Sequence, residues 1–160
     1  MDVSAVRQAS RFKVAIGLIA IVHLAVLASV ALFPIPGFRR FPNPFPDGWI
    51  NLVPFATIGP VLAGHGSASD VSLLILNTFV LLPAGIYVPL LVPAARTVRG
   101  LVVMTIVGGL SIELAQTVMI AVVGMPYRSI DIDDAILNAI GLVLGWFLVR
   151  FGTARRPGSG

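Results

Sequence analysis

Residues 111–145, SIELAQTVMIAVVGMPYRSIDIDDAILNAIGLVLG, decide how this chain folds. Two apolar segments flank a short loop, and polar residues lie on both segments and at the loop between them. The whole chain has seven acidic residues, and four of them lie in this stretch. Ionisable groups in or near hydrocarbon are costly, so their concentration at one place predicts a functional site.

The composition of the chain indicates an integral membrane protein. Of its 160 residues, 57% are hydrophobic and only 11% are charged, and the mean hydropathy is +0.97. A soluble domain carries about 25% charged residues, so long apolar runs with so few charges are typical of membrane-spanning helices. There are no cysteines, which excludes disulfides and thiol chemistry. The arginines flank apolar segments and form no stripe with aromatic residues, so no nucleic-acid partner is expected.

Four apolar segments are long enough to cross a bilayer, which predicts an all-α bundle of four transmembrane helices. We expect spans at about residues 14–33, 71–95, 100–124 and 132–151. Residues 1–13 form a basic amino-terminal segment, and residues 152–160 form a basic tail that we expect to be disordered. Residues 34–70 are rich in proline and predict an external loop without long helices. Within that loop, residues 49–58 are apolar but too short to span, which predicts a re-entrant or interfacial segment.

The distribution of basic residues predicts the orientation in the membrane. With four spans, eight of the eleven Lys and Arg residues fall on the side of the termini and three fall on the other side. The eight are Arg7, Arg11, Lys13, Arg96, Arg99, Arg150, Arg155 and Arg156, and the three are Arg39, Arg40 and Arg128. The positive-inside rule then predicts a multi-pass protein of the cell membrane with both termini in the cytoplasm.

Helical spacing arranges the polar residues of the spans into faces. Glu113 and Gln116 are three residues apart on the third span, so they lie on one side of it. A single stripe of the fourth span carries Asp134, Asn138, Gly141 and Gly145. Its two glycines are a small-xxx-small pair, which allows another helix to approach closely. We expect this stripe to pack against the Glu113 face of the third span, with Asn77 of the second span nearby.

Several roles are open to such a cluster. An interhelical polar clamp would only fix the packing of the helices. A ligand site would bind a lipid or sugar headgroup, with Arg128 holding a phosphate or carboxylate. Its expected ligand-binding residues are Asn51, Asn77, Glu113, Gln116, Arg128, Asp131, Asp133, Asp134 and Asn138. A conduction pathway is a further option, although four short spans with one deep acid are few for a transporter.

A catalytic role is the remaining alternative. Glu113 would act as the acid or base. Three closely spaced acids, Asp131, Asp133 and Asp134, would hold Mg²⁺ or Ca²⁺ through their oxygens. Acids at a helix start are also good N-terminal caps, which is the structural interpretation of the same residues. No nucleophile elbow, His-rich metal motif or phosphate-binding loop is present, so no cofactor is expected.

Four sequence blocks carry a resemblance to a known family. They are residues 51–58 (NLVPFATI), then Asn77 with Pro83 and Gly85, then Ser111 with Glu113 and Gln116, and finally Arg128, Asp131, Asp133, Asp134, Asn138, Gly141 and Gly145. Together, in this order, they resemble the VanZ-like membrane proteins, whose founding member is linked to resistance to the glycopeptide teicoplanin. The chain departs from the family pattern at Leu81, where an aromatic residue is expected, and in the proline content of residues 34–46.

The resemblance implies a small bacterial cell-envelope protein with a single VanZ-like transmembrane domain over residues 14–151. We therefore expect a non-enzymatic protein that binds an outer-leaflet ligand, either a lipid-linked peptidoglycan precursor or a lipid-anchored glycopeptide. The alternative is a membrane-embedded hydrolase or transferase that acts on an envelope lipid intermediate through Glu113 and the three aspartates. The sequence leaves open the ligand, the oligomeric state and whether catalysis occurs.

Overall fold

The computed structural model describes residues 3–32, 50–123 and 129–154, and it shows the all-α architecture that the sequence predicts. The helices are α1 Val3–Leu32, α2 Ile58–Leu62, α3 Ala68–Val80, α4 Leu82–Leu91, a 3-10 helix Pro93–Arg96, α5 Val98–Val123 and α6 Ile132–Ala154. Two short strands, β1 Ile50–Asn51 and β2 Ile130–Asp131, pair in parallel. Residues 50–62 therefore form a non-spanning segment of strand, turn and short helix, as predicted.

Four stretches are long and apolar enough to cross a membrane, which confirms the predicted number of spans. They are Val6–Ser29, Ala68–Leu91, Val98–Val122 and Ile132–Gly152. Helix α1 begins at Val3, so most of the basic segment 1–13 is helical and continues into the first span. Helix α6 continues to Ala154, and the rest of the predicted tail lies outside the described residues, as do residues 33–49 of the proline-rich loop.

The second span is broken into α3 and α4 by a bend at Leu81. Pro83 lies in the first turn of α4, where its missing N–H and its ring prevent a continuous helix. The carbonyl of Val80, at the end of α3, accepts a hydrogen bond from Nε2 of His23 at 2.9 Å. Because a carbonyl only accepts, Nε2 carries a proton, and Nδ1 lies 3.2 Å from the hydroxyl of Tyr87. His23 therefore ties α1 to both halves of the second span.

Small residues of α6 set the distance between the fourth span and its neighbours. A Cβ added to Gly141 would overlap the backbone oxygen of Thr78, and one added to Gly145 would overlap that of Leu82. The close approach that the glycine pair predicts is therefore confirmed, but the predicted partner is wrong, because the stripe packs against the second span. Helix α5 packs against the adjacent, alanine-containing face, where a Cβ on Gly109 would lie 2.9 Å from a backbone oxygen of α6.

The two ends of the bundle differ in charge. We call one the acidic end, and its described acids are Asp70, Glu113, Asp131, Asp133 and Asp134. The opposite, basic end contains the start of α1, the 3-10 helix and the end of α6, with Arg7, Arg11, Lys13, Arg96, Arg99 and Arg150. Between the ends, the outer faces expose many large apolar side chains, as expected of helices that contact lipid.

Candidate functional site

Asp133, in the first turn of α6, is the most buried acid at the acidic end, with 0% of its surface exposed. Its Oδ1 accepts a hydrogen bond from the backbone N–H of Phe55 at 2.6 Å. Its Oδ2 accepts from the backbone N–H groups of Thr57 at 2.8 Å and Ile58 at 3.0 Å. Three donors on one carboxylate satisfy the backbone where the turn enters α2, and hydrogen bonds to a charged acceptor are stronger than neutral ones. Asp133 thus fastens residues 55–58 to the start of α6.

Asp131 makes a second set of contacts with the same segment. Its Oδ1 accepts from Nδ2 of Asn51 at 2.9 Å and from the backbone N–H of Asp133 at 3.0 Å. Its Oδ2 accepts from the hydroxyl of Thr57 at 2.5 Å. The backbone N–H of Asp131 in turn donates to Oε2 of Glu113 on α5 at 3.2 Å. One aspartate therefore connects β1, the turn, α5 and α6.

We call Asn51, Thr57, Glu113, Asp131 and Asp133 the carboxylate clamp. Four of them, all but Thr57, are less than 9% exposed, so the clamp is removed from solvent. Within the described part of the chain, the donors to the two aspartates are backbone amides, one side-chain amide and one hydroxyl. The clamp therefore holds residues 50–58 against the bundle by hydrogen bonds that cross between distant parts of the sequence.

The clamped segment, residues 50–58, presents an apolar turn, residues 52–55, on its outer side. The side chains of Leu52, Val53 and Phe55 are 69%, 65% and 60% exposed. Phe55 has φ of +66°, a left-handed conformation that is rare for residues other than glycine, asparagine and aspartate. Such backbone strain costs about 1–3 kcal/mol and persists only where surrounding contacts impose it. The bond from the Phe55 N–H to Asp133 is one contact that holds this conformation, and the bond from the Gly59 N–H to the Phe55 carbonyl at 2.8 Å is another.

The remaining predicted site residues separate into different contacts. Asn77 of α3 donates from Nδ2 to Oδ1 of Asp134, which links the second and fourth spans. Gln116 of α5 donates from Nε2 to the carbonyl of Ala31 at 3.3 Å, which links the third span to the end of α1. These two contacts join the spans in two separate pairs at the acidic end, and neither involves the clamp directly.

Asn138 differs from the other described site residues because its side-chain oxygen is buried without a hydrogen-bond partner among the described residues. It lies one turn below Asp134 on α6 and is only 2% exposed. A buried acceptor without a donor costs about 1–3 kcal/mol, and such groups are often satisfied by a bound water or by a ligand.

Residues 20–153 match the family model of VanZ/LLP1, which covers most of the chain. The chain belongs to the VanZ/LLP1 family. Its four candidate spans and its family membership together make it a multi-pass membrane protein. No curated protein and no solved structure matches the chain.

The three aspartates of this VanZ/LLP1 protein point toward different partners. Asp131 and Asp133 face the clamped segment, whereas Asp134 faces Asn77. In the part of the chain that the structure describes, no group of three or more His, Asp or Glu side chains is arranged to hold a metal ion. Arg128, the expected anion-binding residue, lies outside the described residues.

Two parts of this VanZ/LLP1 site were not among the predicted site residues. Thr57 contributes both its N–H and its hydroxyl to the clamp, and the apolar turn supplies the exposed surface. Thr57 could have been found, since it is the one hydroxyl within an otherwise apolar run that starts at Asn51. The left-handed Phe55 had no sequence signal, because phenylalanine is not a residue that favours this conformation.

Proposed function

We propose that this VanZ/LLP1 protein binds an amphipathic component of the cell envelope at its acidic end, on the outer leaflet of the cell membrane. The ligand class is a lipid-linked peptidoglycan precursor or a lipid-anchored glycopeptide. Binding of either would lower the access of a teicoplanin-type glycopeptide to its target, which gives the protein a role in glycopeptide resistance.

The observation that carries this proposal is the exposed apolar turn held in a strained conformation by buried carboxylates. The turn exposes Leu52, Val53 and Phe55, and a buried acid fixes its backbone, so this apolar surface is preorganised. Strained backbone clusters at ligand contacts, where it is part of preorganisation. An apolar surface beside polar groups matches a ligand that has both a hydrocarbon chain and a polar headgroup.

The distribution of charge supports the outer-leaflet location. Eight of the eleven Lys and Arg residues lie on the side of the termini, and the positive-inside rule puts that side in the cytoplasm. The acidic end then faces the exterior, with the clamp and the apolar turn near the external membrane surface. A glycopeptide and its lipid-linked target are both located at that external surface.

The contacts of the clamp do not favour the alternative hydrolase or transferase. Both oxygens of Asp131 and both oxygens of Asp133 accept hydrogen bonds from the protein itself. A carboxylate that acts as a base must reach a substrate proton, usually at about 2.6–3.2 Å or through one water. These two aspartates are directed at the clamped segment, so their geometry is that of anchors.

A binding experiment with a matched control tests the proposal. Wild-type protein in lipid nanodiscs is titrated with a fluorescent lipid-linked disaccharide-pentapeptide, alongside Leu52→Ser in the apolar turn and Leu62→Ser in α2. Leu62 is 79% exposed and belongs to the same segment but lies outside the turn, so it controls for surface polarity. Burial of a leucine side chain contributes about 1.5–3 kcal/mol, so we expect Leu52→Ser to weaken binding about tenfold or more.

The same variants are then expressed in a susceptible bacterium, and the teicoplanin concentration that stops growth is measured. We expect wild type and Leu62→Ser to raise that concentration and Leu52→Ser to lose the increase. Wild-type protein is also titrated with a fluorescent teicoplanin. The proposal fails if neither this probe nor the lipid-linked probe binds saturably. It also fails if both leucine variants behave as wild type in binding and in growth.

A further inference from the structure

A cleft lies at the basic end, and the length of the bundle separates it from the clamp. It has a volume of about 240 Å³ and lies between the end of α4, the 3-10 helix and the end of α6. Its lining residues are Pro89, Leu90, Arg96, Trp146, Val149 and Arg150. A water occupies about 30 Å³ of liquid, so the cleft has room for a group of several heavy atoms.

Arg96 is held in a fixed position on one wall of the cleft. Its Nε donates to the carbonyl of Pro89 at 2.7 Å and its Nη2 donates to the carbonyl of Leu90 at 3.3 Å. These carbonyls belong to the last turn of α4, where carbonyls have no partner within the helix and where the helix dipole favours a cation. The two bonds use two of the five N–H groups of a guanidinium. The guanidinium of Arg96 is therefore oriented by these two bonds, and its other N–H groups can donate to a ligand.

Arg150 lines the α6 side of the cleft and contacts Trp146. The guanidinium carbon of Arg150 lies 5.3 Å from the centroid of the Trp146 ring, within the range of a cation–π contact. Trp146 is itself 4% exposed, and its Nε1–H donates to the carbonyl of Ala95 at 2.8 Å. This bond fastens the 3-10 helix to α6. Trp146 thus sets the spacing between the two walls that carry the arginines.

The electrostatic surroundings of the cleft are positive. All acids in the described part of the chain lie at the other end of the bundle. Arg7, Arg11, Lys13 and Arg99 are exposed at the same end as the cleft. The remaining lining side chains, Leu90 and Val149, are apolar. Basic pockets between transmembrane helices at the cytoplasmic level are suited to anionic lipid headgroups.

We infer that this cleft binds the phosphate of an anionic phospholipid, with Arg96 and Arg150 as its ligands and with the acyl chains along the apolar surface of α4 and α6. A guanidinium matches a phosphate in planar, bidentate geometry, and two guanidinium groups line this cleft. The lipid would pin the 3-10 helix against α6 and so fix the position at which the second span ends. This site does not depend on the proposed function, since the two lie at opposite ends.

Lipid binding to purified full-length protein in detergent tests the inference. Native mass spectrometry measures retention of phosphatidylglycerol and, separately, of zwitterionic phosphatidylcholine. The variants are Arg150→Gln in the cleft and Arg99→Gln, an exposed arginine of the same end that does not line the cleft. A hydrogen bond to a charged group contributes about 1.5–3 kcal/mol, so Arg150→Gln should weaken phosphatidylglycerol binding about tenfold or more. Arg99→Gln should change it less than threefold.

Three other results would overturn the inference. Equal binding of phosphatidylcholine would show that the anionic headgroup is not selected. Equal losses of phosphatidylglycerol binding in Arg150→Gln and Arg99→Gln would show that the lipid is attracted by the overall charge of the basic end and not bound in the cleft. Full competition by glycerol phosphate, which has the same phosphate and no acyl chains, would identify a free phosphate ligand instead of a lipid. Arg96→Gln is a second cleft variant, and circular dichroism checks that each variant is folded.

Discussion

Replacing Asp133 with asparagine tests the clamp where its geometry is most specific. The substitution keeps the shape of the side chain, but it turns one of the two acceptor oxygens into an NH₂ donor and removes the charge. The asparagine amide keeps more hydrogen bonds when its oxygen takes the place of Oδ2, where it still accepts from Thr57 and Ile58. Its NH₂ group then faces the N–H of Phe55. One bond that holds Phe55 in its left-handed conformation is then lost.

The size of the effect follows from that one lost bond. A hydrogen bond to a charged acceptor makes a net contribution of about 1.5–3 kcal/mol. The strain at Phe55, about 1–3 kcal/mol, is released when the segment opens, so it favours opening against the bonds that remain from Asn51, Thr57 and Ile58. We expect the free energy of opening residues 50–62 to fall by about 1.5–3 kcal/mol, which is roughly a 10- to 100-fold increase in the open population.

Hydrogen–deuterium exchange in nanodiscs measures this opening directly. In Asp133→Asn, peptides that contain residues 55–58 should exchange about tenfold faster or more, while peptides from the middle of α5 and α6 should be unchanged. Asp134→Asn is the matched control, because Asp134 is the next residue and binds Asn77 instead of the clamped segment. Unchanged exchange in Asp133→Asn, or equal acceleration in both variants, would refute the clamp.

Three further substitutions test packing and buried polar contacts through thermal unfolding in detergent. Gly141→Ala should destabilise by about 1–3 kcal/mol because its Cβ would overlap backbone of the second span, whereas Gly17→Ala meets nothing within 4 Å and should not; equal stabilities would contradict the close approach. His23→Leu should cost about 1–3 kcal/mol through its two lost partners, and His65→Leu, at an exposed loop position, should stay within about 0.5 kcal/mol. Asn138→Leu should be neutral or stabilising, because it removes a buried acceptor without a donor; a loss above about 2 kcal/mol would show that the amide has a structural partner.

The sequence predicts the spans because hydrophobic length is a local property. Each of the four spans is found from a run of apolar residues, and the break in the second span follows from Pro83. The start of α1 at Val3 is not predicted by the apolar run, since polar helix formers such as arginine and glutamine extend a helix beyond its hydrophobic part. The glycine stripe likewise predicts that a helix comes close, but it carries no information about which helix does so.

The candidate site is predicted in part, for a related physical reason. Asn51, Glu113, Asp131 and Asp133 are identified as polar residues in an apolar chain, and the structure brings them together. What they bind is not predictable in the same way, because Asp133 accepts from backbone N–H groups, which every residue except proline has. A contact that joins residues about 75–78 positions apart to a generic backbone group has no pattern in the sequence.

The pairing of β1 with β2 offers the most direct measurement of the clamp. Ile50 and Ile130 are paired residues of these parallel strands, so a cysteine at each position would lie at a separation that suits a disulfide. The chain has no cysteine of its own, so any cross-link reports this pair alone. In native membranes treated with a mild oxidant, the clamp predicts rapid and nearly complete intramolecular cross-linking of Ile50→Cys/Ile130→Cys. Two thiols that react with a maleimide but do not cross-link would contradict it.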